Sequence, residues 1–280
     1  MTPRSILLSG AAGLALAALS LPLQAEEKDG IVLAQNGPPA PGTTIEWSYH
    51  SESKLSTTVQ VKDREGSKDR SLTTEKQGRL TTVSPSKLQL EIIGIKKTRG
   101  DSAEASDSFP LKGIPLVIEK KDDQWSIHKE DGSELSKEEN KDISGINPIQ
   151  SMESDWLIFG GAKHKPGDQW QVDASKLPVF ASLDHPAGTI TVEFVELTKV
   201  GEADCATLKW KIDLEGTSVS SGMKSHLKGE AMEHRSLADF MTLDGKSTCT
   251  IEYSGKTAAG NDIHGSGTME TIVTSVIHHS

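Results

Sequence analysis

The sequence predicts a mainly-β protein, with long antiparallel strands forming a curved half-barrel and short helices in a middle insertion; a β-sandwich is the alternative. Three observations predict it. Apolar residues recur at every second position over long runs, the mark of half-buried strands. Turn signals such as Asp131-Gly132 and Asp244-Gly245 separate those runs, so neighbouring strands join as hairpins and pair antiparallel. Helical patterning is confined to about 136–183. Long strands with one apolar face need closure or a cover, and a half-barrel holding helices against its concave face supplies it. A sandwich would favour strands of about five or six residues.

Residues 1–25 read as a secretory signal peptide. Arg4 and the terminal amine give the positive start, Ile6 to Leu21 is uncharged and Ala/Leu-rich, and Pro22 precedes Leu23-Gln24-Ala25. Cleavage is expected after Ala25, with Ala34 as the alternative because Leu23 is large for its place; an uncleaved anchor is the other reading. No Cys follows closely, which excludes lipid attachment of the bacterial type there. The expected location is periplasmic or secreted, with no membrane span after cleavage. Residues 26–42, carrying Asn-Gly-Pro-Pro-Ala-Pro-Gly, read as a disordered linker, and 43–277 as a single β-rich domain.

From Ile45 the odd positions Ile45, Trp47, Tyr49, Leu55, Val59 and Val61 alternate with mostly polar ones, giving one long strand. Asp63 to Gly66 turns the chain, Ser71 to Val83 returns it, Ser84-Pro85-Ser86 turns it again, and Leu88, Leu90 and Ile92 alternate in the next strand. Gly100 to Ser108 is an acidic loop; Leu116–Glu119 and Trp125–His128 form a hairpin. Ser136 with Glu139 three residues on is a capping box, opening a helix over Lys137 to Ile143. A second helix covers Pro148 to Ile158, Trp170 to Val172 is extended, and Ser175 to Leu183 makes a third short helix. Thr189–Val200 and Ala203–Leu214 form a hairpin. Met223, Ser225, Leu227, Gly229 and Ala231 then set one face of a strand, and Lys246–Ser254 precedes a last strand ending near Val276. Asp123-Gln124-Trp125 and Asp168-Gln169-Trp170 echo each other as a turn leading into a strand.

An ordered set of features carries a resemblance: the signal peptide, long N-terminal strands, the acidic helix start Leu135 to Glu139, the Pro166-Gly167-Asp168-Gln169-Trp170 turn, and a C-terminal hairpin series. The chain resembles secreted bacterial β-rich proteins of unknown function, and in shape it is weakly similar to the LolA-type lipoprotein-carrier half-barrel. The carrier resemblance implies an apolar concave cavity for acyl chains and transfers no individual residue.

The formal charge of -10, or -11 once Arg4 is removed, argues against nucleic acid and anionic membrane surfaces as partners. No zinc-ligand spacing, nucleotide loop or nucleophile elbow occurs, so no catalytic residue, metal or cofactor is expected. His226 and His234 fall opposite the parity of Leu227 and Ala231 and should face solvent. Export makes Cys205 and Cys249 a disulfide candidate, while strand parity turns their side chains to opposite faces, so both readings stand. The candidate site is apolar: Trp47, Tyr49, Trp210, Ile212 and Leu227 share core-facing parity on long strands and would line a concave groove. The expected function is therefore a non-catalytic extracytoplasmic protein binding a hydrophobic ligand, an acyl chain or something lipoprotein-like. The alternatives are a structural or envelope-interaction protein and a hydrolase without a recognisable motif.

Overall fold

The computed structural model of the chain describes residues 30–61, 64–100, 109–122, 124–143, 146–180, 183–219, 221–257 and 259–280. The expected signal peptide and nearly all of the acidic loop lie outside them. The protein is mainly β. One half of the chain lays down β2 (Thr44–Val61), β3 (Arg64–Ser84), β4 (Lys87–Arg99), β5 (Leu116–Lys121) and β6 (Gln124–Lys129) as a meander. The other half lays down β8 (Gln169–Val172), β9 (Leu183–Val200), β10 (Ala203–Ser218), β11 (Lys224–Ser236), β12 (Thr242–Lys256) and β13 (Asp262–His278). β2 pairs with β13 over their whole length, merging the two meanders into one eleven-stranded sheet in the order β6-β5-β4-β3-β2-β13-β12-β11-β10-β9-β8. All strand pairings are antiparallel, and the sheet is not closed.

The period-two pattern works as the sequence implies. Along β13 every odd position is half-buried and every even position exposed, because successive side chains point to opposite faces. The strands run past the expected turns: β3 reaches back to Arg64, since the hairpin pairs Arg64 with Val61. The Asp-Gln-Trp echo opens the two edge strands, β6 and β8.

Helix α1 (Lys137–Ile143) starts at the expected capping box. The backbone N–H of Ser136 donates to Glu139 Oε2 at 2.7 Å, and that of Glu139 to Ser136 Oγ at 3.2 Å. Helix α2 (Pro148–Phe159) is capped by the Asn147 side chain, which accepts from Ile149 N–H at 3.0 Å, and it ends at Gly160 with φ 58. The expected third helix is instead two single 3₁₀ turns, Ala174–Lys176 and Pro178–Phe180.

Two apolar cores lie on the helix-bearing, inward face. One gathers Ile45, Leu80, Leu88, Leu90, Ile92, Leu116 and Ile118 under α1 and the start of α2; the other gathers Ile190, Val192, Phe194, Leu208 and Leu214 with Phe159 from the end of α2. Laid flat, β4 and β10 would stand about 29 Å apart across six strand spacings. A twelve-residue helix is only about 18 Å long, yet α2 contributes to both cores. The sheet curls around the helix, in keeping with a half-barrel.

One expectation changes, and one open pair of readings is decided. The linker is ordered from Gly30 on: β1 (Ile31–Val32) pairs with β7 (Lys163–His164), and Leu33 and Ala34 are buried in the second core. The β1–β7 pairing and the burial of Leu33 and Ala34 anchor the strap together, which a count of Pro, Gly and polar residues overlooks. Cys205 and Cys249 are free, buried thiols. Their partners on β11 are Ser236 and Gly229, seven residues apart, which is about 23 Å along the strand and far beyond disulfide reach. Burial pushes both thiols up from their usual range.

Candidate ligand-binding face

The five sequence-predicted residues all point inward but fall in three places. Trp47 packs against the first core, where it lies across Gly78. Trp210 packs against the second, edge-on to Phe159 with ring centres 5.9 Å apart. Ile212 also packs on the second core. Tyr49 belongs to neither core and has Lys76 Nζ 4.9 Å over its ring; burial and then Lys97 push the Lys76 ammonium below its usual range. Leu227 lies farther along, directly between Leu214 and Ile251.

From the margin of the second core the inward face continues as a floor. Leu214, Leu227, Ile251, Gly267 and Leu55 form one cross-strand row, and Ile212, Gly229, Cys249, Met269 and Ser53 the next. Most of these side chains are half-buried by their neighbours in the sheet. This floor takes in Ile212 and Leu227 and leaves both Trp outside.

A second apolar concavity, of about 530 Å³, lies over α2. The helix supplies Ile149, Met152, Glu153, Trp156 and Leu157. The β5–β6 hairpin supplies Lys120 and Trp125, and Pro85 lies on the same side. The strap (Asn36, Gly37, Pro38) and Pro178 form the rest. Three prolines fix φ in the walls. Leu157 is 49 % exposed, an apolar side chain held in water at the rim. The sequence reading missed the groove because its lining comes from five separate segments, none with its own motif. The only signal was Trp156 and Leu157 falling side by side in a short helix, which leaves α2 apolar on more than its core-facing side.

A polar seam runs under α2 between the cores. Glu233 and Arg235 are inward-facing neighbours on β11; Glu233 Oε2 accepts from Thr242 Oγ1 at 3.0 Å, and Arg235 pairs with Asp155 of α2. Burial pushes the Asp155 carboxyl up to about 6, with Arg235 opposing and Glu233 adding to the rise. The inward parity of β11, followed two steps beyond Ala231, reaches both residues, and that was the signal that could have found them.

The outward face is polar. His226 Nε2 donates to Asp213 Oδ1 and His234 Nδ1 to Asp244 Oδ1, each at 2.7 Å, placing both histidines on the expected face but paired. Asp213, and then Glu215 and Glu252, raise the His226 imidazole above its usual range. A trough of about 760 Å³ surrounds it, with His185, His264 and several hydroxyls. Among the described residues no three His, Cys, Asp or Glu side chains are placed to hold a metal ion. No helix among them is long and apolar enough to cross a membrane.

No family model matches the sequence, and no curated protein does. Among solved structures, lipovitellin, described for its lipid–protein interactions, is 9% identical with a TM-score of 0.44; the match covers 86% of this chain and 26% of that one, so this chain spans about a quarter of lipovitellin. A Bacteroides fragilis protein described as exported, with a YmcC-like fold, is 11% identical with a TM-score of 0.20, covering 85% of this chain and 97% of that one. A domain of an outer membrane lipoprotein-sorting protein from Vibrio parahaemolyticus is 8% identical with a TM-score of 0.12, covering 82% and 85%. The structural neighbours thus include exported bacterial proteins and a lipoprotein-sorting domain, all weakly similar.

Proposed function

We propose that this chain is a non-catalytic extracytoplasmic protein that binds an apolar ligand, an acyl chain or the lipidated end of a protein, in the groove over α2. The observation that carries the reading is the groove itself: about 530 Å³, lined by Trp125, Ile149, Met152, Trp156, Leu157 and three prolines, with Asn36, Lys120 and Glu153 as its polar side chains. Ligand pockets of about 300–1,000 Å³ have this composition. The signal-peptide reading of residues 1–25 supports the location.

The test is titration of residues 26–280 with a fluorescent long-chain fatty acid, alongside native mass spectrometry for co-purified lipid. Saturable binding is expected, weakened at least tenfold by Met152→Asp, which puts a charge on the groove floor. Leu227→Asp, on the open sheet floor, should leave it within about threefold. Loss at Leu227 instead would move the ligand to that floor, and no binding by wild type would end the proposal.

A further inference from the structure

Arg235 is the largest fully buried side chain among the described residues, at 1 % exposure, and it touches two other segments at once. Its Nε donates to the Leu33 carbonyl oxygen at 3.0 Å. Its Nη1 donates to Asp155 Oδ2 at 3.1 Å, and the guanidinium forms an ion pair with that carboxylate. The guanidinium carbon lies 4.5 Å from the centre of the Phe159 ring. Leu33 belongs to the strap that brings Asn36–Pro38 to the groove, and Asp155 and Phe159 belong to the helix that forms its floor. A single side chain of the sheet therefore grips two elements that build the groove. An apolar residue of similar size would fill the same space with less desolvation cost, whereas only the planar, five-donor guanidinium can bond a carbonyl, pair a carboxylate and stack on a ring together.

We propose, resting on the groove reading above, that Arg235 is a positioning residue for the ligand groove, coupling the strap and α2 so that they dock on the sheet, or lift from it, as one unit. Among the described residues the strap and α2 share no direct hydrogen bond or ion pair, although both pack into the second core. The strap reaches the sheet region through β7 and the second core, and α2 through its apolar side chains, the Trp170 Nε1 bond to Ile158 O at 3.1 Å and the bond from His164 Nε2 of β7 to Phe159 O at 3.3 Å. The coupling runs through the guanidinium.

Hydrogen exchange on ligand-free residues 26–280 tests this. In Arg235→Met, amides of 31–38 and 148–159 should exchange faster by a common factor of about ten or more while β2 and β13 keep their protection. Arg235→Lys, which keeps the charge facing Asp155, should restore most of the protection of α2 and less of the strap. Asp155→Ala is the second variant should Arg235→Met fail to fold: it removes the acceptor on α2, and the strap is expected to loosen with the helix. Faster exchange in only one of the two segments, or a uniform rise across the sheet, overturns the coupling. Because no ligand is present, this outcome is separate from the fatty-acid titration: wild type that binds nothing but shows coupled exchange loses the groove reading and keeps Arg235 as the link.

Discussion

Trp47 lies flat across the backbone at Gly78, and Tyr253 does the same at Gly265; in both places a glycine leaves room for an inward aromatic on the next strand. A Cβ at Gly78 would stand 2.4 Å from Trp47 Cζ2 and 2.8 Å from the Glu91 carbonyl oxygen. Gly78→Ala should therefore displace the indole from the first core and cost about 1–3 kcal/mol in urea unfolding, with no change in strand content by circular dichroism. Asp155 makes a different residue-scale prediction. Its folded pKa of about 6 lies above the ordinary 3.8, so between those values the native state holds a proton that the unfolded state does not. Stability from this group is complete below the unfolded value and is lost as pH rises through about 6. With 31 % of the side chain still in water, the effect is about 2 kcal/mol. Asp155→Asn should flatten the stability profile between pH 4 and 7, and a variant whose slope matches wild type would place the titration elsewhere.

At the scale of elements, the strands were legible because a two-residue period needs no long-range information: β2 runs Thr44–Val61, where alternation from Ile45 to Val61 placed it. The capping box located α1 for the same reason, being a contact across three residues. What could not be read was anything that depends on which elements meet. The strap has no period of its own and acquires structure from β7, the second core and Arg235, and the groove exists only once five segments converge. Of the five site residues, parity gave the inward face correctly, but parity does not say where along a strand the helices stop. The strap carries a prediction about processing. Cutting after Ala34 would remove β1 and the buried Leu33, whose carbonyl accepts from Arg235; losing a buried leucine side chain costs about 2–5 kcal/mol. On the signal-peptide reading the mature chain is expected to begin at Glu26, readable by N-terminal sequencing, and residues 35–280 should melt well below residues 26–280. A native N-terminus at Gln35 would contradict the strap's structural role. On the opposite side of the sheet, the end of β3 that β4 does not cover, Arg64 to Arg70, is exposed and charged, which guards an open edge against pairing with another chain.

For the molecule as a whole, the joint between β2 and β13 decides cooperativity. Each meander pairs neighbours in sequence, but the joint brings together residues such as Ser48 and Thr274, 226 positions apart and hydrogen-bonded at 2.7 Å. Closing so long a loop is entropically costly before the pairing rewards it, so the joint should form late and slowly. Once formed, it lets α2 reach both cores, with Ile149 in one and Phe159 in the other, so neither core is complete without the other half. Thr271 sits in the middle of β13, facing Ser51 on β2 and Ser247 on β12. Thr271→Pro removes a ladder donor between two strands and should cost about 3 kcal/mol or more. The five tryptophans report on both ends of the chain, Trp47 and Trp125 at the first core and Trp156, Trp170 and Trp210 at the second. If the joint unifies the cores, Thr271→Pro lowers the urea midpoint of a single fluorescence transition that circular dichroism follows. Two separated transitions, with one core surviving the loss of the other, would mean that the half-barrel is two sheets sharing an edge and that α2 does not bind them into one cooperative unit.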